Sequence, residues 1–162
     1  MNTLDNNEFY TFSEYMKKEN KLLTASMQDY MEMIYRLYKK NGFIRINELS
    51  QALNVHPPSA TSMVQRLADL KLLNYEKYGV ITLEESGKKL GDYLLKRHNT
   101  IEAFLKIIGV PKDFVFDDTE KIEHTISNET LERFSDFTSF FNKNPNVLED
   151  FLKFCSNKKV NL

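Results

Sequence analysis

Asp29 and Glu32 stand three apart in SMQDYMEMIY, and Glu120, Glu123 and His124 fall at i, i+3 and i+4 in DTEKIEHTI. Residues at these separations share one face of a helix, so each segment would project its acidic groups, and the second also an imidazole, to one side. Neither segment offers a full coordination shell alone. With His98 from the middle of the chain they make six candidate metal ligands: Asp29, Glu32, His98, Glu120, Glu123 and His124. Four carboxylates and two imidazoles, with no thiolate or thioether, favour a borderline-hard ion such as Mn²⁺ over Cu(I) or an iron–sulfur cluster. Fe²⁺ and Zn²⁺ stay in the set of occupants, because affinity at nitrogen and oxygen sites rises later in the row. A carboxylate pair on a helix is more often a solvated face, and a lone helical His more often a surface residue. The chemistry therefore depends on the elements that gather these side chains.

From Thr24 to Lys40, Met27, Tyr30, Met31, Ile34, Leu37 and Tyr38 recur at helical spacing, and Asn41-Gly42 supplies a stop. This first helix carries Asp29 and Glu32 beside its apolar stripe. In FIRINELSQALNV, Asn47 is the expected N-cap of a second helix that runs through Leu53 to Val55. His56-Pro57-Pro58 breaks the chain, and Ser59 is expected to open a third helix with Met63, Val64, Leu67 and Leu70 inward. Helix, tight break and helix at this length is the helix-turn-helix layout. NYEKYGVITLEESG alternates, is rich in Tyr, Val, Ile and Thr, and places Gly79 at a turn, which predicts a two-stranded wing after the recognition helix.

A long helix then runs through KKLGDYLLKRHNTIEAFLKIIGV to Gly109, carrying His98 and an apolar stripe of Leu90, Leu94, Ile101, Phe104, Leu105 and Ile108 wide enough for a partner. DDTEKIEHTIS is expected to begin the next helix, with Asp117, Asp118 and Thr119 as candidate caps and Glu120 in the first turn. Helices from Ser127 to Asn142 and from Asn146 to Phe154 complete a helical region. The fold class is thus mainly α. A winged helix-turn-helix DNA-binding domain is joined by a long helix to an all-helical domain. The divisions expected are 1–23, a polar, Asn-rich N-terminal extension; 24–91, the DNA-binding domain; and 92–162, a separate helical domain.

A chain of 162 residues can bury one good core or two small ones. Its net charge of −1 excludes a generally basic nucleic-acid coat. The charge is uneven, however: Leu22 to Gly91 holds nine Lys or Arg against seven Asp or Glu, and Asp92 to Leu162 holds ten against twelve. The middle is the more positive part, the sense expected if it meets phosphate. The single cysteine, Cys155, cannot form an intramolecular disulfide, so the fold does not depend on an oxidising compartment. No apolar run is long enough to span a membrane, and the N-terminus lacks a signal-peptide pattern, so a cytoplasmic location without membrane attachment is expected.

SMQDYMEMIY, NVHPPSATSMVQRL, YEKYGVITL, GKKLG, KRHNTIEAFLKIIGV and EKIEH, in this order and at these separations, resemble the diphtheria toxin repressor family, and more closely its manganese transport regulator branch. The similarity runs from about Leu23 to Phe141, most of the chain. It implies that residues 92–162 form a metal-binding and dimerisation domain, in a homodimer whose metal positions fall on Asp29, Glu32, His98, Glu120, Glu123 and His124. It also implies two adjacent Mn²⁺ ions with shared carboxylates, and Fe²⁺, Zn²⁺ or Cd²⁺ as other occupants. Iron-responsive relatives carry Met and Cys where this chain has Asp29 and Glu120, so the resemblance favours Mn²⁺. A palindromic double-stranded operator, bound when metal is bound, and repression of metal uptake follow from the same likeness.

The exposed polar residues expected to reach DNA are Ser59, Thr61, Ser62, Gln65 and Arg66 on the recognition helix. Ser59, Thr61 and Ser62 are placed near base edges or phosphate, and Arg66, Lys77 in the wing and Arg45 before the second helix on phosphate. Two competitors are a di-metal carboxylate enzyme and a metal-independent winged-helix regulator that senses an organic ligand. The enzyme bundles use Glu-x-x-His pairs, which this sequence lacks, and would leave the wing unexplained.

Overall fold

Met27, Met31 and Ile34 recur at helical spacing with Leu37, and that stripe builds the first described helix, α1 (Ala25–Asn41). Thr24 caps it, its Oγ1 accepting from the Met27 N–H at 3.3 Å, and Gly42 ends it in the left-handed region at φ 75°, donating to the Tyr38 carbonyl. The computed structural model describes residues 23–76 and 79–158. Apart from Leu23, which is buried, the expected N-terminal extension lies outside the described residues, as does Lys77. The described residues form two compact units that divide between Asp92 and Tyr93, within one long helix.

In the first unit, β1 (Ile44–Arg45) leads directly into α2 (Ile46–Ala52), followed by α3 (Pro57–Asp69), β2 (Leu73–Tyr75) and β3 (Val80–Leu83). The wing is therefore part of a three-stranded antiparallel sheet, ordered β1-β3-β2, rather than two strands alone. Ile44 pairs with Ile81 and Arg45 with Val80, while Leu73, Asn74 and Tyr75 pair with Leu83, Thr82 and Ile81. This pairing corrects the expected cap of α2. The Ile46 N–H donates to the Gly79 carbonyl, so the helix starts straight from the strand with Arg45 at the cap position, and Asn47 sits inside the first turn. The helix also stops at Ala52, before Leu53 and Val55, because Asn54 turns into the left-handed region at φ 53°.

α3 opens at Pro57 rather than Ser59, since proline at the first helical positions gives up an N–H that had no partner there and brings a helical φ. Ala60, Val64 and Leu67 face inward from it and are fully buried, with Met63 and Leu70 half-buried. They join Met31, Ile34, Ile44, Leu49, Leu72 and Ile81 in the core beneath the recognition helix. Each such side chain contributes roughly 1.5–3 kcal/mol by leaving water.

α4 (Glu85–Ile107) begins three residues before the expected KKLG start. Its stripe is used inside the fold: Leu90, Leu94 and Ile101 are fully buried and Leu105 nearly so. In the second unit Ile101 and Leu105 pack with Val115 from α5 (Lys112–Ile122), against Ile122, Ile126 and Leu131. α6 (Asn128–Lys143), capped by Ser127, and α7 (Pro145–Lys158) complete it. A ladder of phenylalanines holds these helices: Phe104 stacks on Phe134 at 3.9 Å between centroids, and Phe137, Phe141 and Phe151 continue it to α7. Each such pair adds about 0.5–1.5 kcal/mol beyond area burial.

Candidate metal centre and DNA-binding surface

His98 sits mid-way along α4, one residue after Arg97. Glu120 lies in the last turn of α5, Glu123 is that helix's C-cap, and His124 is in the turn beyond it. This reverses the sequence expectation that DDTEKIEH begins a helix. The helix starts at Lys112 with Pro111 at its cap position, so Asp117, Asp118 and Thr119 are interior. Thr119, fully buried, uses its hydroxyl to donate to the Val115 carbonyl at 2.7 Å instead of capping. The i, i+3 relation survives because Glu123 keeps right-handed helical dihedrals and donates its N–H to Thr119.

The second unit thus gathers four of the six candidate ligands. His98 Nδ1 lies 3.0 Å from Glu123 Oε2 and 3.5 Å from Glu120 Oε1, and His124 Nε2 lies 3.5 Å from Glu123 Oε1. Glu123 is 2% exposed and His98 4%. A carboxylate is rarely buried unless opposite charge or a metal compensates it. Two carboxylates and two imidazoles converging without sulfur are donors suited to a first-row divalent ion, so these residues fit one. Asp29 and Glu32 stand one turn apart on α1 in the first unit, Asp29 half-buried and Glu32 buried, with Glu32 Oε1 accepting from Arg36 Nε and Nη2 at 2.8 and 2.5 Å.

Sequence reasoning passed over Arg36, Tyr93 and Arg97. Arg97 is buried, its Cζ 5.9 Å from the Tyr93 ring centroid and its Nη2 3.5 Å from His124 Nδ1. Burial pushes the Tyr93 hydroxyl above its ordinary value, with Arg97 opposing, so the phenol keeps its proton and donates to Asn128 Oδ1. The Arg36 contact was readable as an i, i+4 pair; Arg97 had no signal beyond its place beside His98.

On α3, Ser59, Ser62, Gln65 and Arg66 are exposed, and Pro58, Ser59, Ser62, Met63 and Arg66 line a shallow groove. Thr61 is half-buried, and its hydroxyl donates to the Pro57 carbonyl at 3.0 Å. Arg45 is exposed on β1.

A winged helix-turn-helix unit and a helical unit carrying nitrogen and oxygen donors together define a metal-responsive DNA-binding regulator. Residues 22–81 match the family described as "Iron dependent repressor, N-terminal DNA binding domain", and residues 84–152 match "Iron dependent repressor, metal binding and dimerisation domain". The chain belongs to this iron-dependent, or diphtheria toxin, repressor family, in its manganese transport regulator branch. It is 42% identical over 130 residues to the HTH-type transcriptional regulator MntR of Oceanobacillus iheyensis, covering 80% of this chain and 88% of that protein. To the regulator of the same name from Bacillus pumilus it is 44% identical over 120 residues, covering 74% and 83%. The solved structure of the manganese regulator SloR matches with a TM-score of 0.61 at 27% identity, over 70% of this chain and 54% of that one, so the chain spans about half that protein's length. It is accordingly a metal-responsive transcriptional repressor with a divalent metal cofactor, acting on DNA as a homodimer, and not an enzyme. Among the described residues no helix is long and apolar enough to cross a membrane.

Proposed function

We propose that this repressor responds to Mn²⁺, and that with metal bound it holds a palindromic operator as a homodimer in the cytoplasm and shuts off metal-uptake genes. The convergence of His98, Glu120, Glu123 and His124 carries the reading. Asp29 and Glu32 add two hard oxygen donors from α1, giving a six-residue set. Glu123 turns one oxygen to each imidazole, which supports a carboxylate shared by two adjacent ions. Bound there, Mn²⁺ supplies the positive charge that lets these carboxylates stay ionised out of water. Fe²⁺, Zn²⁺ and Cd²⁺ are competing occupants of the same donors. The relatives named MntR and the likeness to the manganese regulator SloR support the choice of manganese.

Metal that favours the DNA-competent state of the repressor raises operator affinity, and operator binding raises metal affinity by the same factor. Ser59, Thr61 and Ser62 are the residues assigned to base edges or nearby phosphate, Gln65 to the same face, and Arg66, Arg45 and Lys77 to phosphate. Phe114 and Phe116, 59% and 61% exposed on α5, support a self-associating surface in the dimerisation domain.

The test is operator binding in EDTA, then with Mn²⁺, Fe²⁺ or Zn²⁺ restored. EDTA is expected to abolish specific binding and Mn²⁺ to restore it. Affinity unchanged across the series would leave a regulator that does not use metal.

A further inference from the structure

A helix that enters DNA by its N-terminal end often meets a phosphate with the amide N–H groups of its first turn. α3 has few of these to offer. Of the four amide positions at its start, Pro57 and Pro58 carry no N–H, and the Ser59 N–H is taken by the His56 carbonyl at 3.0 Å. The same carbonyl accepts the Ala60 N–H at 3.1 Å as the first helical bond. The remaining amide is that of His56 itself, at the cap position with φ −72° and ψ 140°. The aligned peptides of this 13-residue helix still favour an anion at its start. Attraction is therefore kept at this end, while most of the backbone donors that would hold the anion are missing.

The His56 imidazole stands in their place. It is exposed, makes no capping hydrogen bond and, among the described residues, has no hydrogen-bond or ion-pair partner. An imidazole carries one N–H in either neutral tautomer and two when charged, so it can donate to a phosphate oxygen in every state. The nearby hydroxyls do not replace it equally: Ser59 is exposed, but Thr61 is committed to the Pro57 carbonyl at 3.0 Å. Farther along α3, the groove lined by Pro58, Ser59, Ser62, Met63 and Arg66 has no carboxylate to repel a DNA strand.

We infer that His56 is a further DNA-binding residue, whose imidazole donates to an operator phosphate at the start of the recognition helix where the two prolines have removed the backbone donors. This rests on α3 being the helix that meets the operator.

The test uses the full chain saturated with Mn²⁺ and a palindromic duplex that it selects from a random pool. His56→Ala leaves the capping carbonyl and both prolines in place, so its melting curve is expected to match wild type while operator affinity falls on the order of tenfold. Neutral methylphosphonates, placed in turn at each operator phosphate, then locate the contact. At one phosphate per half-site, neutralisation is expected to weaken wild type and to weaken His56→Ala markedly less, with the other phosphates affecting both chains alike. Wild-type affinity in a folded His56→Ala overturns the inference, and so does a loss that adds to neutralisation equally at every phosphate. Should His56→Ala fail to fold, acylation of His56 by diethyl pyrocarbonate in the wild-type chain decides: the operator is expected to protect it, and equal reaction with and without operator overturns the inference. Ser62→Ala and Arg66→Ala keep the two readings apart. If neither of these nor His56→Ala weakens binding, α3 is not the helix that reads the operator. If they weaken it and His56→Ala does not, only the role of His56 is refuted.

Discussion

Glu123 joins the two imidazoles of the second unit, one to each of its oxygens, and is nearly excluded from water. Glu123→Gln keeps the shape and removes the charge, so Mn²⁺ affinity is expected to fall at least about 100-fold while the thermal transition is retained. Mn²⁺ titration beside a melting curve checks both, and unaltered affinity would remove Glu123 from the ligand set. The residue types at this centre were legible because i, i+3 and i+4 spacing survives at the end of a helix as well as within it. Arg97 was not legible. Its contact with His124 joins α4 to the turn after α5, a closure that no local spacing encodes.

At the scale of elements, glycine shows where two segments must touch. A Cβ on Gly87 would lie 1.8 Å from the Leu72 carbonyl oxygen, which is backbone and cannot swing aside. Gly87→Ala is therefore expected to cost about 1–3 kcal/mol or more, as overpacking does. The midpoint of urea unfolding reads it, and an unshifted midpoint would show that α4 can move off the Leu72 backbone. The helices were readable from their apolar spacing, and the expected bounds at Thr24 and Ser127 fall on the residues that cap α1 and α6. Their starts were less so where proline was read as a break: Pro57 opens α3. β1 escaped notice because two residues are too few to show alternation.

For the molecule as a whole, a net charge of −1 means that DNA affinity must come from a few placed cations. Arg66 is exposed on α3 and Arg45 on β1. Arg66→Ala is expected to weaken binding to all sequences similarly and to lower the slope of log affinity against log salt by about 1. Operator titrations across a salt series check it, and an unchanged slope would place Arg66 away from phosphate. The patterning changes from alternating to helical after Leu83, whereas the two compact units divide between Asp92 and Tyr93, inside a continuous helix that shows no change of pattern there. What covers the long helix was not, because a stripe of Leu and Ile looks alike whether its own core or a second chain meets it.

The pairing of β1 with β3 also bears on how the chain acquires its shape. Ile44 meets Ile81 across the intervening sequence, and α2 and α3 both lie inside the loop thereby closed. Distant pairings of this kind form slowly, because loop entropy is lost before the contact is gained. During synthesis the sheet cannot close until β3 has left the ribosome. The sheet, and the wing with it, is therefore completed in one late step, after the helices it encloses have been made.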